Sequence, residues 1–408
     1  MYPAKIRHIY FDMLRRPLFL LTPREIVLEV NGLVKIADYL RALGLSKNSK
    51  ILILVDPILM NLDSIRTLDK SLAESGFHVE WVTEVEYEPS IGSAERLVEI
   101  GRRVKPEAVI GIGGGSTLDL AKVIRVGVDN PERSVRDFIG VEKVPGSRTP
   151  LILAPSTAGT GSEVSRYSVL RDGERKAVIT SRHIVADVAL VDPVLTYALP
   201  PKVTAGSGLD ALGHAVEAMI SLMSSPLTDA YALLAIEMVF EYLVRAYLNG
   251  RDEEARYFMS MAATVAGIPM SMAGAVYGHS IAMVVGATYK LHHGAAVGMV
   301  LPYIMDFYLP VMVDKYNAIA NILGITYQVD RYSRALEVVK RVWDLVRELE
   351  IPQSLKEIGV SKAELEKLAE RTVKELPRPN SPIEMTKERA LKIYENMYEG
   401  KLSRVRVS

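Results

Sequence analysis

The chain has 408 residues, with 49 basic against 49 acidic, no cysteine, 49% hydrophobic and 24% charged residues. At roughly 100–200 residues per domain this predicts two or three domains with ample core, and the composition excludes disorder, collagen and coiled coil as the main architecture. Zero net charge gives no general footprint for nucleic acid or an anionic membrane, and the missing cysteine removes disulfides, thiolate metal sites and cysteine nucleophiles; the expected partner is a small molecule.

Near the start, Lys5, Arg7, Asp12, Arg15 and Arg16 interrupt any apolar run, so no secretory signal is expected and the chain reads as cytoplasmic. Glu25–Val30, Ile51–Val55, His78–Val82, Ala108–Ile112 and Pro150–Ala154 then read as strands. Leu33–Leu43, Ser90–Arg103 and Thr117–Gly127 read as helices between them, the alternation of a parallel α/β sheet. Over Tyr167–Val191 strands follow one another without helices, which predicts hairpins at the edge of the sheet before the Asp192-Pro193 break.

Beyond Leu199 strand signals nearly vanish. Ser207–Ser221, Pro226–Leu248, Glu253–Ala266, Met270–Val285, His293–Phe307, Val313–Leu323, Tyr332–Leu349, Ser361–Val373 and Thr386–Met397 carry apolar faces at helical spacing. The expected architecture is an α/β part, residues 1–196, followed by an all-helical part, residues 197–408, with a cleft between them. Tyr257–Tyr289 holds no charged residue and is long enough to span a membrane, but Pro269, Gly274, Gly278, His279 and Gly286 break it up and predict a buried helical pair. Gln328 and Gln353 are the only glutamines, which with the missing cysteine fits a thermophilic source.

Three sets of residues could carry chemistry. Gly111-Ile-Gly113-Gly114-Gly115-Ser116 follows a strand and opens a helix, presenting bare N–H groups at a positive helix terminus suited to phosphate; a tight turn would also need glycine. Asp119 and Lys122 lie one turn apart on that helix, placed to pair with each other or to touch a ligand. After the next strand, Pro155-Ser156-Thr157-Ala158-Gly159-Thr160-Gly161-Ser162-Glu163 could wrap a polar ligand. Two such loops at successive strand ends are where open α/β sheets gather ligands. Asp56, closing strand Ile51–Val55, could accept hydrogen bonds from ribose hydroxyls. Only seven histidines occur: Asp210 and His214 are i,i+4 on one helix face, while His279 and His293 fall in the same apolar region, and one carboxylate with three imidazoles suits Fe²⁺ or Zn²⁺.

Together these motifs resemble the iron-containing, or group III, alcohol dehydrogenases. Gly113-Gly-Gly-Ser116-Thr-Leu-Asp119-Leu-Ala-Lys122 is similar to their GGGSxxDxAK signature, and Pro155 to Glu163 resembles their nicotinamide loop. Asp210-Ala-Leu-Gly-His214-Ala-Val-Glu217-Ala and the stretch from Gly278-His279 through His293-Gly294 to Leu301-Pro302 are similar to their two metal signatures. The resemblance runs from about Glu25 to near Glu399. It implies a dehydroquinate synthase-like fold, with an α/β dinucleotide-binding domain and an all-α metal domain, in an enzyme that passes a hydride reversibly between a primary alcohol or aldehyde and NAD, or NADP.

It further implies Asp210, His214, His279 and His293 as metal ligands, Gly114, Gly115 and Ser116 at the pyrophosphate, Ser156, Thr157 and Thr160 beside the nicotinamide, and Lys176 against the cofactor. Asp56 would favour NAD by repelling the 2′-phosphate of NADP. One position departs from the pattern: many members carry a further histidine four residues after His279, and here it is Met283, which cannot shuttle a proton. His292 could substitute, or serve only as a turn residue. A homo-oligomer is expected, with a dimer the default. The rival readings are a non-redox lyase or synthase on the same fold, and a nucleotide-binding protein that has lost catalysis.

Overall fold

The computed structural model describes residues 20–173, 175–326 and 330–404; the charged positions that argue against a secretory signal, Lys5 to Arg16, lie outside them. The strands are β1 (Glu25–Leu28), β2 (Lys50–Val55), β3 (His78–Val82), β4 (Ala108–Gly113), β5 (Gly140–Val141), β6 (Leu151–Pro155), β7 (Tyr167–Asp172), β8 (Arg175–Thr180) and β9 (Val188–Val191). Helices α1 (Ile36–Ala42), α2 (Asp63–Glu74), α3 (Ile91–Val104) and α4 (Gly115–Asp129) alternate with the first of them. All six strands of the main sheet run parallel in the order β1-β9-β6-β4-β2-β3. The runs Ile51–Val55 and Ala108–Gly113 are buried throughout, as strands covered by helices on both faces must be.

The segment Tyr167–Val191 corrects the expectation of hairpins at that sheet's edge. Strands β7 and β8 do form an antiparallel hairpin, but it joins β5 in a separate three-stranded sheet, while β9 enters the main sheet between β1 and β6. Burial explains the split: β9 is wholly buried, whereas β7 alternates partly exposed and buried positions, as a sheet with one wet face does.

From Pro201 on, the described residues form helices α5 (Pro201–Ile220), α6 (Pro226–Leu248), α7 (Glu253–Ala273), α8 (Tyr277–Tyr289), α9 (His293–Ile322), α10 (Arg331–Glu348), α11 (Leu365–Glu375) and α12 (Lys387–Glu399), packed round one large apolar core. Three boundaries differ from the expected ones: α5 starts at Pro201 rather than Ser207, with the proline at its first position. Helix α7 continues through Pro269 and stops at Gly274, whose φ of 72° suits a glycine; α8 leaves at 109° to it. Helix α9 is one 30-residue helix through Pro302 and Pro310, where two helices were expected, because burial along its length outweighs the two lost backbone bonds. It is long and apolar enough to cross a membrane, but 78% of its most apolar window is buried inside the protein.

Close backbone contacts join the sheet to the helices. The loop after β6 brings Gly161, at φ 59°, against Gly267 of α7, where a Cβ would lie 2.5 Å from the Gly267 Cα. Gly173, at φ 63°, has nothing within 4 Å of the same added atom. Gly173→Ala should therefore cost only the left-handed backbone penalty, about 1–2 kcal/mol. Gly161→Ala should add an overpacking cost of about 1–3 kcal/mol. Thermal unfolding of the two variants checks this: equal shifts would show that the contact yields freely.

Candidate cofactor loops and metal centre

Three strand ends meet at the carboxyl edge of the main sheet. Val55 pairs with Ile112 and Gly113 with Pro155, and the next residues continue the ladder: Asp56 N donates to Ile112 O and Ser156 N to Gly113 O, both at 2.9 Å. Asp56, the glycine loop and the second loop thus lie side by side. Asp56 is half-buried and caps the turn after β2 by accepting from Ile58 N at 3.1 Å through Oδ1. Arg66, on α2, pairs instead with Asp63 one turn away.

The three glycines differ in what they exclude. A Cβ on Gly113 would fall 2.4 Å from Thr117 Oγ1, and one on Gly115 would fall 2.8 Å from Thr160 Cγ2, so packing within the protein accounts for both. Gly114 is different: its φ is −73°, and an added Cβ would meet nothing nearer than 3.6 Å. It is the N-cap of α4, and no side chain caps that end of the helix. Neither strain nor packing demands glycine there. Thr157 stands beside Gly114, and Ser116 Oγ accepts from Glu88 N at 3.2 Å.

Asp119 and Lys122 sit on the inner side of this loop. Lys122 is wholly buried, and its ammonium donates to Ser162 Oγ at 2.8 Å and Tyr167 O at 2.6 Å. Asp119 accepts from Ser162 Oγ at 2.6 Å and from Val169 N at 2.9 Å. Of the two readings the sequence allows, pairing is the one seen among the described residues: the Lys122 donors brace the second loop against α4. Burial, only partly offset by Asp119, lowers the Lys122 pKa. Ser156 is buried; Thr157 and Thr160 remain partly accessible. Lys176 pairs with Glu88 at 3.0 Å.

On the helical side, Asp210 and His214 share a face of α5, which is buried from Thr204 to Ile220. His279 lies in the first turn of α8 and His293 opens α9. They converge on one atom: Asp210 Oδ1 lies 3.5 Å from His279 Nε2, 3.6 Å from His293 Nε2 and 3.7 Å from His214 Nε2. Donor atoms of Asp210, His279 and His293 all lie within 4.8 Å of one another; His214 reaches the same oxygen but stands outside that set. Asp210 Oδ1 and His279 Nε2 are buried without a hydrogen-bond partner. Burial would raise the Asp210 pKa, yet the surrounding histidines outweigh it and hold the carboxyl below its ordinary range. Burial pushes His293 down to about 4.

The sequence reading gave Glu217 no role, and the structure makes it the buttress of this centre. Its Oε1 accepts from His279 Nδ1 at 2.7 Å, while Oε2 accepts from the backbone N–H of Val276 at 2.9 Å and of His279 at 3.2 Å. Burial works against a charged His279, but Glu217 and Asp210 prevail and raise it to about 9. A visible signal existed: Glu217 is seven residues after Asp210 and three after His214, hence on the same face of a buried helix. The glycine loop is linked to this centre through Tyr87 and Glu88: Glu88 bonds Ser116, and the Tyr87 ring lies 6.0 Å from that of His292, which is exposed at the start of α9.

A glycine loop on the carboxyl edge of a parallel sheet, tied to a buried Asp-His₃ centre on helices, is the layout of a dehydrogenase that uses a nucleotide and a metal. The family model described as iron-containing alcohol dehydrogenase matches residues 23–193, and that of the C-terminal part of the same family matches residues 204–398. Long-chain-alcohol dehydrogenase 1 of Geobacillus thermodenitrificans (strain NG80-2) is 35% identical over 86% of this chain and 90% of its own length. Among solved structures, a 1,3-propanediol oxidoreductase superposes with a TM-score of 0.89 at 28% identity, covering 94% of this chain and all of that one. A sulfoacetaldehyde reductase from Bifidobacterium kashiwanohense in complex with NAD⁺ superposes at 0.82 with 27% identity over 94% of this chain and 99% of that one. The chain belongs to the iron-containing alcohol dehydrogenase family. It is an NAD(P)-dependent oxidoreductase that interconverts alcohols and aldehydes by hydride transfer.

The glycines give a direct test of loop chemistry. Gly114→Ala should leave the unfolding midpoint in place and weaken NADH binding roughly tenfold or more, about 1.4 kcal/mol. Gly115→Ala should instead destabilise the fold by about 1–3 kcal/mol through Thr160. Fluorescence titration with NADH beside thermal unfolding separates them; an NADH affinity unmoved by Gly114→Ala would remove the ligand from that position.

Proposed function

We propose that Asp210, His214, His279 and His293 hold one divalent ion, Fe²⁺ in the first place and Zn²⁺ as the alternative, in a helical half comprising residues 197–408. The observation that carries this is the Asp210 Oδ1 atom, buried without a hydrogen bond among three imidazole nitrogens. An orphaned carboxylate oxygen in a core is costly unless a cation completes it. When bound, the ion lends Lewis acidity to the substrate oxygen, and the nicotinamide cofactor takes up or returns the hydride.

The chain's own residues supply order around that chemistry. A carboxylate can only accept, so Glu217 fixes a proton of His279 on Nδ1 and leaves Nε2, beside Asp210 Oδ1, as the atom that would hold the ion. The α/β half, residues 1–196, orients the cofactor. Gly113, Gly114, Gly115 and Ser116 receive the pyrophosphate at the start of α4. Ser156, Thr157 and Thr160 line the nicotinamide side, with Lys176 beyond them, and Asp119 and Lys122 hold the second loop in place. Met283 offers no proton route; His292, exposed and adjacent to His293, is the titratable group on the solvent side. We read the enzyme as a cytoplasmic homodimer from a thermophile, on the sequence arguments given above.

Purified protein should contain one divalent ion per chain and consume NADH with an aldehyde, and chelation should abolish turnover. Nucleotide binding without turnover across an aldehyde panel would favour a binding protein, and conversion without net NADH consumption a lyase. Glu217→Gln should weaken the ion about 10–100-fold while leaving all four ligands in place. Competition with a chromogenic chelator measures it, and an unaltered affinity would reduce Glu217 to a packing residue.

Cofactor choice rests on Asp56. Its Oδ1 caps the turn, and Oδ2 has no protein partner among the described residues, so it can accept from ribose hydroxyls while repelling a 2′-phosphate. NAD should be preferred over NADP in kcat/KM, and Asp56→Gly should shrink the ratio. A wild-type preference for NADP, or a ratio unmoved by the substitution, would show that Asp56 does not set it.

A further inference from the structure

A cavity of about 550 Å³ opens between α8, α11 and the β7–β8 hairpin. Its wall carries five cations, Arg175, Lys176, Lys367, Arg371 and Lys374, against two carboxylates. Those carboxylates, Glu370 and Glu375, are paired with Lys374 and Arg371, and Lys176 is paired with Glu88. The approach is therefore cationic. Met283, one helical turn past His279, and Leu376 also line it.

Two residues beyond Leu376 comes Arg378. Its Nε donates to Ser280 Oγ at 2.9 Å, and its Nη2 lies 3.9 Å from Met283 Sδ. Ser280 is the neighbour of His279, and the carboxylate whose field reaches Arg378 is Glu217, the buttress of the metal centre. Yet Glu217 is not its ion-pair partner: both Glu217 oxygens are taken by His279 and Val276. Among the described residues no carboxylate lies within ion-pair distance of Arg378, so a half-buried guanidinium faces a thioether with most of its donors unused. A guanidinium stays charged at any physiological pH, and leaving it desolvated and unpaired is unfavourable. Its planar fork matches two oxygens of one oxyanion.

We propose that Arg378 is a specificity residue that binds an oxyanion on the substrate, so that the enzyme acts on aldehydes and alcohols carrying a carboxylate or like group away from the reacting carbon. The cationic wall draws such a substrate toward Met283, and Arg378, whose Nη2 reaches Met283 Sδ and whose Nε holds Ser280 beside His279, takes its oxyanion. This rests on the dehydrogenase reading above.

The test compares two aldehydes of equal chain length, 4-oxobutanoate and butanal, in wild type, Arg378→Met and Arg378→Lys. Wild type should favour 4-oxobutanoate in kcat/KM by roughly tenfold or more. Arg378→Met should lose that preference mainly through KM while keeping its rate with butanal, which also shows that the variant folds; Arg378→Lys should keep part of it. Calorimetric titration with 4-hydroxybutanoate should give tighter binding to wild type than to Arg378→Met. A wild-type preference for butanal, or equal losses on both aldehydes in Arg378→Met, overturns the proposal and leaves the dehydrogenase standing. Absence of turnover with 4-oxobutanoate alone overturns the proposal; absence of turnover across a whole aldehyde panel overturns the dehydrogenase reading and this one with it.

Discussion

The arrangement of the helical half follows from one oxygen atom. Asp210 Oδ1 is buried, accepts no hydrogen bond, and has three imidazole nitrogens within 3.7 Å. Bringing those four side chains together requires α5, α8 and α9 to approach closely, and the sequence allows it with small residues at the contacts. A Cβ on Gly294 would lie 2.1 Å from Gly206 O, and one on Gly278 would lie 2.3 Å from Glu217 Oε1. Glycine at these positions is imposed by the centre, since neither residue has a positive φ. The break between α7 and α8 serves the same end. Glu217 captures two N–H groups at the start of α8, where a helix leaves donors unsatisfied and favours negative charge.

The same economy governs the junction with the sheet. The loop after β6 is held from one side by Lys122 and Asp119 of α4 and from the other by α5 and α7. A Cβ on Gly159 would meet Ser207 O at 2.7 Å, and Glu163, wholly buried and raised in pKa by that burial, accepts from Thr264 Oγ1 at 2.7 Å. Several polar residues of a loop that reads as a ligand wrap are therefore structural. What remains accessible is Thr157 and Thr160, which flank Gly114 and Gly115.

Much of this was legible in the sequence because the period of a chain survives burial. The continuous apolar runs Ile51–Val55 and Ala108–Ile112 identify central parallel strands without tertiary information. The i,i+4 pair Asp210 and His214 announces a shared face. The hairpin's separate sheet, the place of β9, the length of α9 and the end of α7 were not legible, because each is decided by burial against partners distant in sequence: prolines at 302 and 310 break an isolated helix but not one buried along its length. Arg378 was invisible for a related reason. It lies in a proline-rich connection with no periodicity, and only the fold brings it beside Met283, 95 residues earlier.

Met283 and Arg378 are best considered as a pair. A histidine at 283 would place a second titratable cation next to the guanidinium, and two like charges in a partly desolvated pocket repel unless an anion lies between them. Methionine removes that conflict and supplies a flexible, polarisable wall against which the arginine stem can pack. The cost falls on proton transfer, since no group at 283 can accept a proton. The exposed His292, in the α8–α9 connection, stands next to His293. The loss of a proton-handling group and the presence of an unpaired cation therefore have one physical explanation, a pocket whose charge is reserved for the substrate.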